Sequence, residues 1–238
     1  INMETTYSKK ILHSLWAVSI VIFLYLPILC MVLASFSRKR YFSFPVEGFS
    51  SKWYFKAFNS LSVQDVVSTS LIIATVVALI SVVLSFFGAL AFARYEWRGR
   101  KLYQKIILLP IFFPQAVLSL ALLLWFNYLG IIPSWKTAII AHLVWVAPIA
   151  TLVVSIQAYS LDPALEDAAF DLGATRLQVI REITLPILAP GIFSGALFAF
   201  LLSWGNFPLS LFTTGADSTL PEWLYAKIVG GYTQMVPV

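Results

Sequence analysis

The stretch "EDAAFDLGATRLQVIREITLP", Glu166–Pro186, carries six charged residues in a chain that has very few of them. No Asp, Glu, Lys or Arg occurs in residues 137–161 before it or in residues 187–216 after it. Only 11% of the 238 residues are charged and 60% are hydrophobic, whereas a soluble domain carries about 25% charged residues. This composition indicates a polytopic membrane protein, with the charged stretch between two of its membrane segments.

Five runs without a charged residue divide the chain, and each exceeds the roughly 20 residues that a helix needs to cross a bilayer. The alternating pattern of a β-barrel is absent, so every backbone group must be satisfied inside a helix. We predict an all-α membrane protein with five transmembrane helices, and the apolar residues after Lys227 predict a sixth that lies beyond Val238. The predicted spans are residues 11–36, 66–93, 106–127, 137–158 and 187–212.

The charged stretch has the start and stop signals of two short helices. Asp162 followed by Pro163 is typical of an N-cap and a first helical position, and Gly173 is placed to end this helix in the left-handed conformation. Thr175 with Gln178 three residues later predicts a capping box at the start of a second helix. We therefore predict a helix, a sharp turn and a helix between the fourth and fifth spans.

Two interpretations of this element stay open from its pattern alone. It is either a solvated cytoplasmic loop or a docking helix pair that receives movement from a soluble partner. In the second case its apolar face consists of Leu165, Ala168, Ala169 and Leu172. Pro186 is expected to end the second helix or to kink it into the fifth span.

The same residues resemble the signature of ABC importer permeases, which is Glu-Ala-Ala, three residues, Gly, nine residues and Ile-x-Leu-Pro. Asp167-Ala168-Ala169, Gly173 and Ile183-Thr184-Leu185-Pro186 match that spacing without a gap, with Asp167 in place of the usual Glu and Glu166 before it. The resemblance extends over nearly the whole chain. "KWYFKAF" (52–58), "ARYEWRGRK" (93–101) and "FTTGADSTLPEWLYAKI" (212–228) are similar to the second permease subunit of spermidine/putrescine-type importers.

The resemblance implies a transport subunit with a cytoplasmic coupling segment, residues 160–186, and six spans in the complete protein. It implies a heterodimer with a second permease subunit, two cytoplasmic nucleotide-binding subunits and an extracytoplasmic solute-binding protein. ATP and Mg would be bound by the partner ATPase and no cofactor by this chain, which contains no G-x-x-x-x-G-K-[ST] motif. The implied ATPase-coupling residues are Glu166, Asp167, Ala168, Ala169, Gly173, Arg176, Ile183 and Pro186.

Orientation follows from the distribution of basic residues. With the N-terminus inside, nine Lys and Arg residues lie on the cytoplasmic side and seven outside, and the compact basic turn at residues 94–105 favours this arrangement. We predict a multi-pass protein of the bacterial inner membrane with a cytoplasmic N-terminus. The net charge of +5 reflects basic loops at the lipid surface, and no feature indicates a nucleic-acid partner.

Prolines interrupt most predicted spans and indicate either simple kinks or broken helices that line a transport path, above all at Pro114 and Pro208. Candidate substrate-path residues are neutral polar and aromatic side chains in these spans. They are Gln115, Trp204, Asn206 and Phe207. For Asn206 the alternative is a hydrogen bond that only links neighbouring helices. These groups suit a small polar organic solute, such as a polyamine, an opine or a phosphonate-like compound. The spans hold no acid, which weakens a tight polyamine site here and places selection mainly in the binding protein.

Two other classes of membrane protein are alternatives. An ion-coupled secondary carrier needs buried ionisable groups, and a membrane-embedded transferase needs a cluster of His, Asp, Glu or Cys at one face. The sequence shows neither pattern. His142 is isolated without the spacing of a metal site, and we interpret it as a packing or interfacial residue in preference to a proton relay.

Overall fold

The computed structural model describes residues 2–39, 48–231 and 236–238, in which all regular elements are helical. In chain order the helices are α1 (Asn2–Ser35), α2 (Lys52–Phe58), α3 (Leu61–Ala89), α4 (Arg100–Leu108), α5 (Gln115–Tyr128), α6 (Trp135–Ser160), α7 (Pro163–Asp171), α8 (Arg176–Val179), α9 (Leu185–Trp204), α10 (Phe207–Thr213) and α11 (Leu220–Val229). Two π-helical turns, Leu90–Arg94 and Ile180–Thr184, follow α3 and α8, and a 3-10 turn, Leu109–Phe112, follows α4. The chain divides into two units, Ile1–Gln64 with Leu224–Val238 and Asp65–Trp223.

The first unit contains the long apolar helix α1 and the polar segment that follows it. The indole nitrogen of Trp53 donates to the carbonyl oxygen of Ser37 at 3.1 Å. The hydroxyls of Ser35 and Tyr54 lie 2.7 Å apart, and an isolated antiparallel bridge joins Ser37 to Phe49. The two bonds from Trp53 and Tyr54 hold α2 against the end of α1.

The second unit is built around α6, which packs on both α3 and α9. Gly191 and Gly195 lie on the face of α9 that meets α6, because a Cβ at Gly191 would lie 2.8 Å from Cβ of Gln157 and one at Gly195 would lie 2.9 Å from Val154. Small residues at this four-residue spacing let two membrane helices approach closely. Val154 itself is fully buried. The close packing of α6 against α9 sets the positions of the two helices between which α7 and α8 lie in the chain.

The third predicted span is broken, which corrects the single helix predicted over residues 106–127. Residues Arg100–Phe112 and Gln115–Tyr128 are each helical, and the two parts are bent by 102°. Proline lacks the backbone donor that an α-helix needs. Pro110 lies in the 3-10 turn and Pro114 precedes the new helix start at Gln115. The other predicted spans each overlap a continuous apolar helix among the described residues.

The fifth span also differs from its predicted limits of residues 187–212. Its helix is continuous from Arg176 to Trp204, so Pro186 does not end the second helix of the charged stretch. Pro186 is the second residue of α9, and the π-helical turn Ile180–Thr184 precedes it in the continuous helix. At the other end α9 stops at Trp204, and α10 starts only at Phe207.

Candidate functional site

The first helix of the coupling segment begins and ends as its sequence predicts. A carboxylate oxygen of Asp162 accepts a hydrogen bond from the backbone nitrogen of Ala164 at 3.0 Å, and Pro163 is the first helical residue. At the other end Gly173 has a φ of +86°. Its nitrogen donates to the carbonyl oxygen of Phe170 at 2.9 Å, and the next nitrogen along the chain, at residue 174, donates to that of residue 169 at 3.0 Å. This pair of bonds is the Schellman arrangement, so the predicted left-handed stop is confirmed.

The second helix begins with the predicted capping box. The backbone nitrogen of Thr175 donates to the side-chain oxygen of Gln178 at 2.8 Å, and the nitrogen of Gln178 donates back to the Thr175 hydroxyl at 3.4 Å. The left-handed stop at Gly173 and the capping box of Thr175 and Gln178 lie on either side of the turn between the helices and restrain it. Because α8 runs without interruption into α9, this turn is joined directly to a helix that is long and apolar enough to cross a membrane.

The two acids at the start of the signature face different surroundings. The hydroxyl of Thr184 donates to a carboxylate oxygen of Glu166 at 2.6 Å. Thr184 is only 1% exposed and belongs to the π-helical turn that leads into α9. Glu166 is half-buried, whereas Asp167 is exposed. Glu166 therefore ties α7 to the base of the span, and Asp167 points away from the chain.

The outer face of α7 combines acidic and apolar groups. Asp167 and Asp171 are four residues apart, so they share one side of the helix, and both are exposed. Leu165 and Leu172 are 49% and 89% exposed, and Leu177 on α8 is 73% exposed. Of the predicted apolar face, Ala168 is exposed with these leucines and only residue 169 is half-buried. Exposed leucines beside acids are typical of a surface that another protein covers.

A cavity of about 450 Å³ lies behind this surface. Its walls come from the coupling segment and from the residue that follows the π-helical turn after α3. They are Tyr95, Glu166, Phe170, Arg176, Val179, Ile180 and Thr184. The cavity places Arg176 and Glu166, two predicted coupling residues, on one concave wall. Ile183 is half-buried and Pro186 exposed at the start of the span.

The candidate substrate-path residues lie at helix ends. Gln115 is the first residue of α5, Trp204 the last of α9 and Phe207 the first of α10. Trp204 stacks on Phe200, with ring centroids 6.0 Å apart. Asn206 is 4% exposed, and its side-chain oxygen accepts from the nitrogen of residue 209 at 3.0 Å, so it is the N-cap of α10. Contact of these four residues with a solute stays a prediction.

A buried polar cluster around His142 was not predicted by sequence reasoning. His142 is 1% exposed, with Nδ1 2.8 Å from the Ser203 hydroxyl and Nε2 3.1 Å from the Ser210 hydroxyl. The Ser210 hydroxyl donates to the carbonyl oxygen of Asn206 at 2.7 Å. A hydroxyl has one hydrogen, so Ser210 accepts from Nε2–H of His142, and Nδ1 accepts from Ser203. The cluster joins α6 to both sides of the break between α9 and α10.

One signal for this cluster is present in the sequence. Ser203 and Ser210 are seven residues apart, which places two hydroxyls near one line of a helix. Asn206 followed by Pro208 repeats the cap-and-proline pattern of a helix start. As a helix start inside an apolar run, this pattern favours a broken helix over a simple kink near Pro208.

Comparisons with known proteins agree on one family. Residues 81–230 match the model of the family described as "Binding-protein-dependent transport system inner membrane component". The chain is 28% identical over 230 residues to the spermidine/putrescine transport system permease protein PotC of Haemophilus influenzae, covering 96% of this chain and 89% of that one. It is 31% identical over 230 residues to the putrescine transport system permease protein PotI of Escherichia coli K12, covering 92% and 82%. In fold it is similar to a chain of the crystal structure of a bacterial ABC transporter involved in the import of alginate, with a TM-score of 0.70, 19% identity and coverage of 98% and 90%.

Proposed function

The chain belongs to the inner membrane components of binding-protein-dependent transport systems, the permease subunits of ABC importers, and from this premise we propose that α7 and α8 receive the movement of a separate ATPase. The observation that carries the proposal is the different surroundings of the two acids. Glu166 is bonded to Thr184 at 2.6 Å, while Asp167 is exposed. Asp167 is therefore the acid that meets the ATPase, and Glu166 transmits its displacement to α9.

Rigid coupling requires that the segment does not simply bend when its outer face is pushed. The caps at Asp162 and Thr175 and the turn at Gly173 satisfy the backbone groups at both helix ends. Local opening is rare where such groups are bonded and frequent where they are not. The covering of Leu172 and Leu177 by the partner supplies the apolar area of the interface.

The assembly that we propose contains this chain, a second permease subunit as a heterodimer partner, two cytoplasmic nucleotide-binding subunits and an extracytoplasmic solute-binding protein. The nucleotide-binding subunits bind ATP and Mg. The coupling segment then lies on the cytoplasmic side, and the four proposed crossings that precede it, an even number, place the N-terminus in the cytoplasm as well. The basic turn at residues 94–105 supports this orientation.

For the solute we propose a polyamine or a closely related organic cation. The support is that both sequence relatives named above transport spermidine or putrescine by their names. Among the described residues, the buried polar side chains are hydroxyls, the His142 imidazole and the Asn206 amide, all without negative charge. A cation that contacts only such neutral groups is bound weakly, and weak binding allows the solute to move on through the transport path. Strong selection then belongs to the binding protein, and an opine or a phosphonate-like compound is the alternative solute.

The coupling proposal is tested by Asp167→Lys in the assembled transporter, reconstituted with its binding protein. Reversal of one charge at an interface costs more than about 1.4 kcal/mol, so uptake should fall at least about tenfold. The matched control is Asp65→Lys, at an exposed acid near the start of α3. Uptake by Asp167→Lys equal to that of the control would show that this acid does not meet the ATPase.

The solute is tested separately with the unaltered transporter. Spermidine and putrescine are offered to the binding protein, and their uptake into proteoliposomes is followed with ATP inside. ATP-dependent uptake of an opine or a phosphonate, with neither polyamine accepted, would overturn the solute proposal and leave the coupling proposal standing.

A further inference from the structure

Helix α4 is held in one rotation by hydrogen bonds to the end of α3. The π-helical turn that ends α3 leaves carbonyl oxygens without helical partners, and the guanidinium of Arg100 donates to those of Phe92 and Ala93 at 3.1 and 3.4 Å. The amide of Gln104 donates to the carbonyl oxygen of Phe92 at 2.9 Å. Arg100 and Gln104 are one turn apart, so together they define the inner face of α4.

Because the rotation of α4 is fixed, the outward faces of its remaining residues follow from their positions in the helix. With 100° between successive residues, Lys101 and Lys105 share one outer face, and both are exposed. Leu102 and Ile106 share the neighbouring outer face and are 61% and 59% exposed. The outer surface of α4 is therefore half basic and half apolar, as in helices that lie in the boundary between water and lipid.

The course of the chain places α4 at that boundary. It starts a few residues after the apolar helix Leu61–Ala93 ends, and the helical segment that it opens is bent by 102° from α5. Because α5 is apolar along its length, α4 lies across the direction in which the chain crosses the bilayer.

The charge on and just before α4 is mainly positive. Residues 66–161 contain a single acid, Glu96, and its carboxylate lies 3.9 Å from Arg100. Across the described residues no carboxylate forms an ion pair with Lys101 or Lys105. Exposed Arg98 adds a third positive charge just before the helix.

An apolar cavity of about 510 Å³ opens beside α4, between it and helices α3 and α6. Its walls include Phe87, Trp97, Tyr103, Ile107 and Pro148. The indole nitrogen of Trp97 is already bonded to the carbonyl oxygen of residue 91 at 3.1 Å. Such a cavity suits a hydrocarbon chain better than a polar solute.

We propose that α4 binds an anionic phospholipid. The phosphate lies against Lys101 and Lys105, and the acyl chains lie along Leu102 and Ile106 with space in the apolar cavity. Charge complementarity selects an acidic over a zwitterionic head group. The site holds the bend between α4 and α5 at the membrane surface, and it is independent of the coupling segment and of the transported solute.

The test uses the assembled transporter in nanodiscs of phosphatidylcholine with phosphatidylglycerol. Native mass spectrometry counts the phosphatidylglycerol molecules that each complex retains. Each lysine near an anionic surface strengthens retention about fivefold, so Lys101→Gln with Lys105→Gln should weaken it about thirtyfold at low salt. Raised ionic strength should narrow this difference, and Lys101→Arg with Lys105→Arg should restore retention.

The matched control is Lys52→Gln with Lys56→Gln, a second exposed lysine pair one turn apart, on α2. Equal loss in both double variants would show a general charge effect and would overturn the site. Unchanged retention in the Lys101 and Lys105 double variant would do the same. Loss of the ATPase subunit from that variant, with lipid retention unaltered, would assign the basic face to an acidic protein surface instead.

Discussion

The coupling segment and the break between α9 and α10 contain the same kind of helix-capping residues, but those of the first are exposed and those of the second are buried. Each interrupts a helical path, and each restarts it with a side-chain cap, Thr175 in one case and Asn206 in the other. Around Thr175 the caps are exposed and the leucines of the outer face are uncovered. Around Asn206, by contrast, the side chains of Ser203 and Ser210 are buried and bonded within the bundle.

The difference shows that a helix break does not by itself mark a site of contact. In the coupling segment the backbone is satisfied locally, so acids and leucines remain available to another protein. At the α9–α10 break the side chains satisfy one another, because an unpaired polar group inside the bundle costs free energy. Four substitutions test whether the two breaks differ in this way, and they follow in order of decreasing effect.

Gly173→Val should have the largest effect. No atom lies within 4 Å of a Cβ built at Gly173, so the cost comes from the φ of +86° and is about 1–2 kcal/mol for a β-branched residue. Uptake should fall by about tenfold or more, while ATP hydrolysis continues. Gly173→Asn serves as the control because Asn tolerates the left-handed region. Normal uptake by the valine variant would contradict the helix–turn–helix as the coupling element.

Thr184→Val should loosen the tie between α7 and α9. The substitution keeps the buried volume and removes the donor to the Glu166 carboxylate, a loss of about 1.5 kcal/mol, at the low end for bonds to charged groups since Glu166 is only half-buried. The ratio of solute transported to ATP hydrolysed should drop severalfold. Thr151→Val is the control, because Thr151 is equally buried but donates to a carbonyl oxygen of its own helix. An equal drop in the ratio of solute transported to ATP hydrolysed in both variants would show that the Thr184–Glu166 hydrogen bond has no special role in coupling.

Asn206→Ala should cost about 1 kcal/mol through loss of the α10 cap. Uptake by the assembled complex should fall, whereas the affinity of the isolated binding protein for its solute stays the same. Asn206→Ser keeps a capping oxygen and should restore uptake. If the serine variant stays as impaired as the alanine variant, Asn206 contacts the solute through its amide, as the sequence first suggested.

Ser203→Ala should have the smallest effect, about 0.6 kcal/mol, which is typical of one hydrogen bond between membrane helices. It removes the donor to Nδ1 of His142 and should lower the thermal inactivation midpoint of the complex slightly without changing the coupling ratio. Ser194→Ala, which removes a bond to the carbonyl oxygen of Pro190 in the same helix, is the comparison. A large change in coupling from Ser203→Ala would mean that the buried break also moves during transport.

Local chemistry determined much of this protein directly from its sequence. The long uncharged runs predicted a membrane protein, because helices that cross the hydrocarbon layer consist mainly of apolar residues. A capping residue followed by proline predicted the start of α7 at Pro163. Gly173 set the turn, because few residues adopt a positive φ. The matched signature spacing also placed the coupling segment between the fourth and fifth spans, where the structure has α7 and α8.

Tertiary structure decided what each polar side chain faces. The sequence did not separate Glu166 from Asp167, because neighbouring residues point about 100° apart and only the packing of α7 against the π-helical turn directs one of them to Thr184. It also left open whether the chain kinks or breaks at Pro114, where the structure is bent by 102°, and it missed the role of Asn206 as a buried cap. Proline and asparagine are compatible with both a continuous kinked span and a broken one. The choice depends on partners such as His142, which lies more than sixty residues away in sequence and meets the break only in the folded chain.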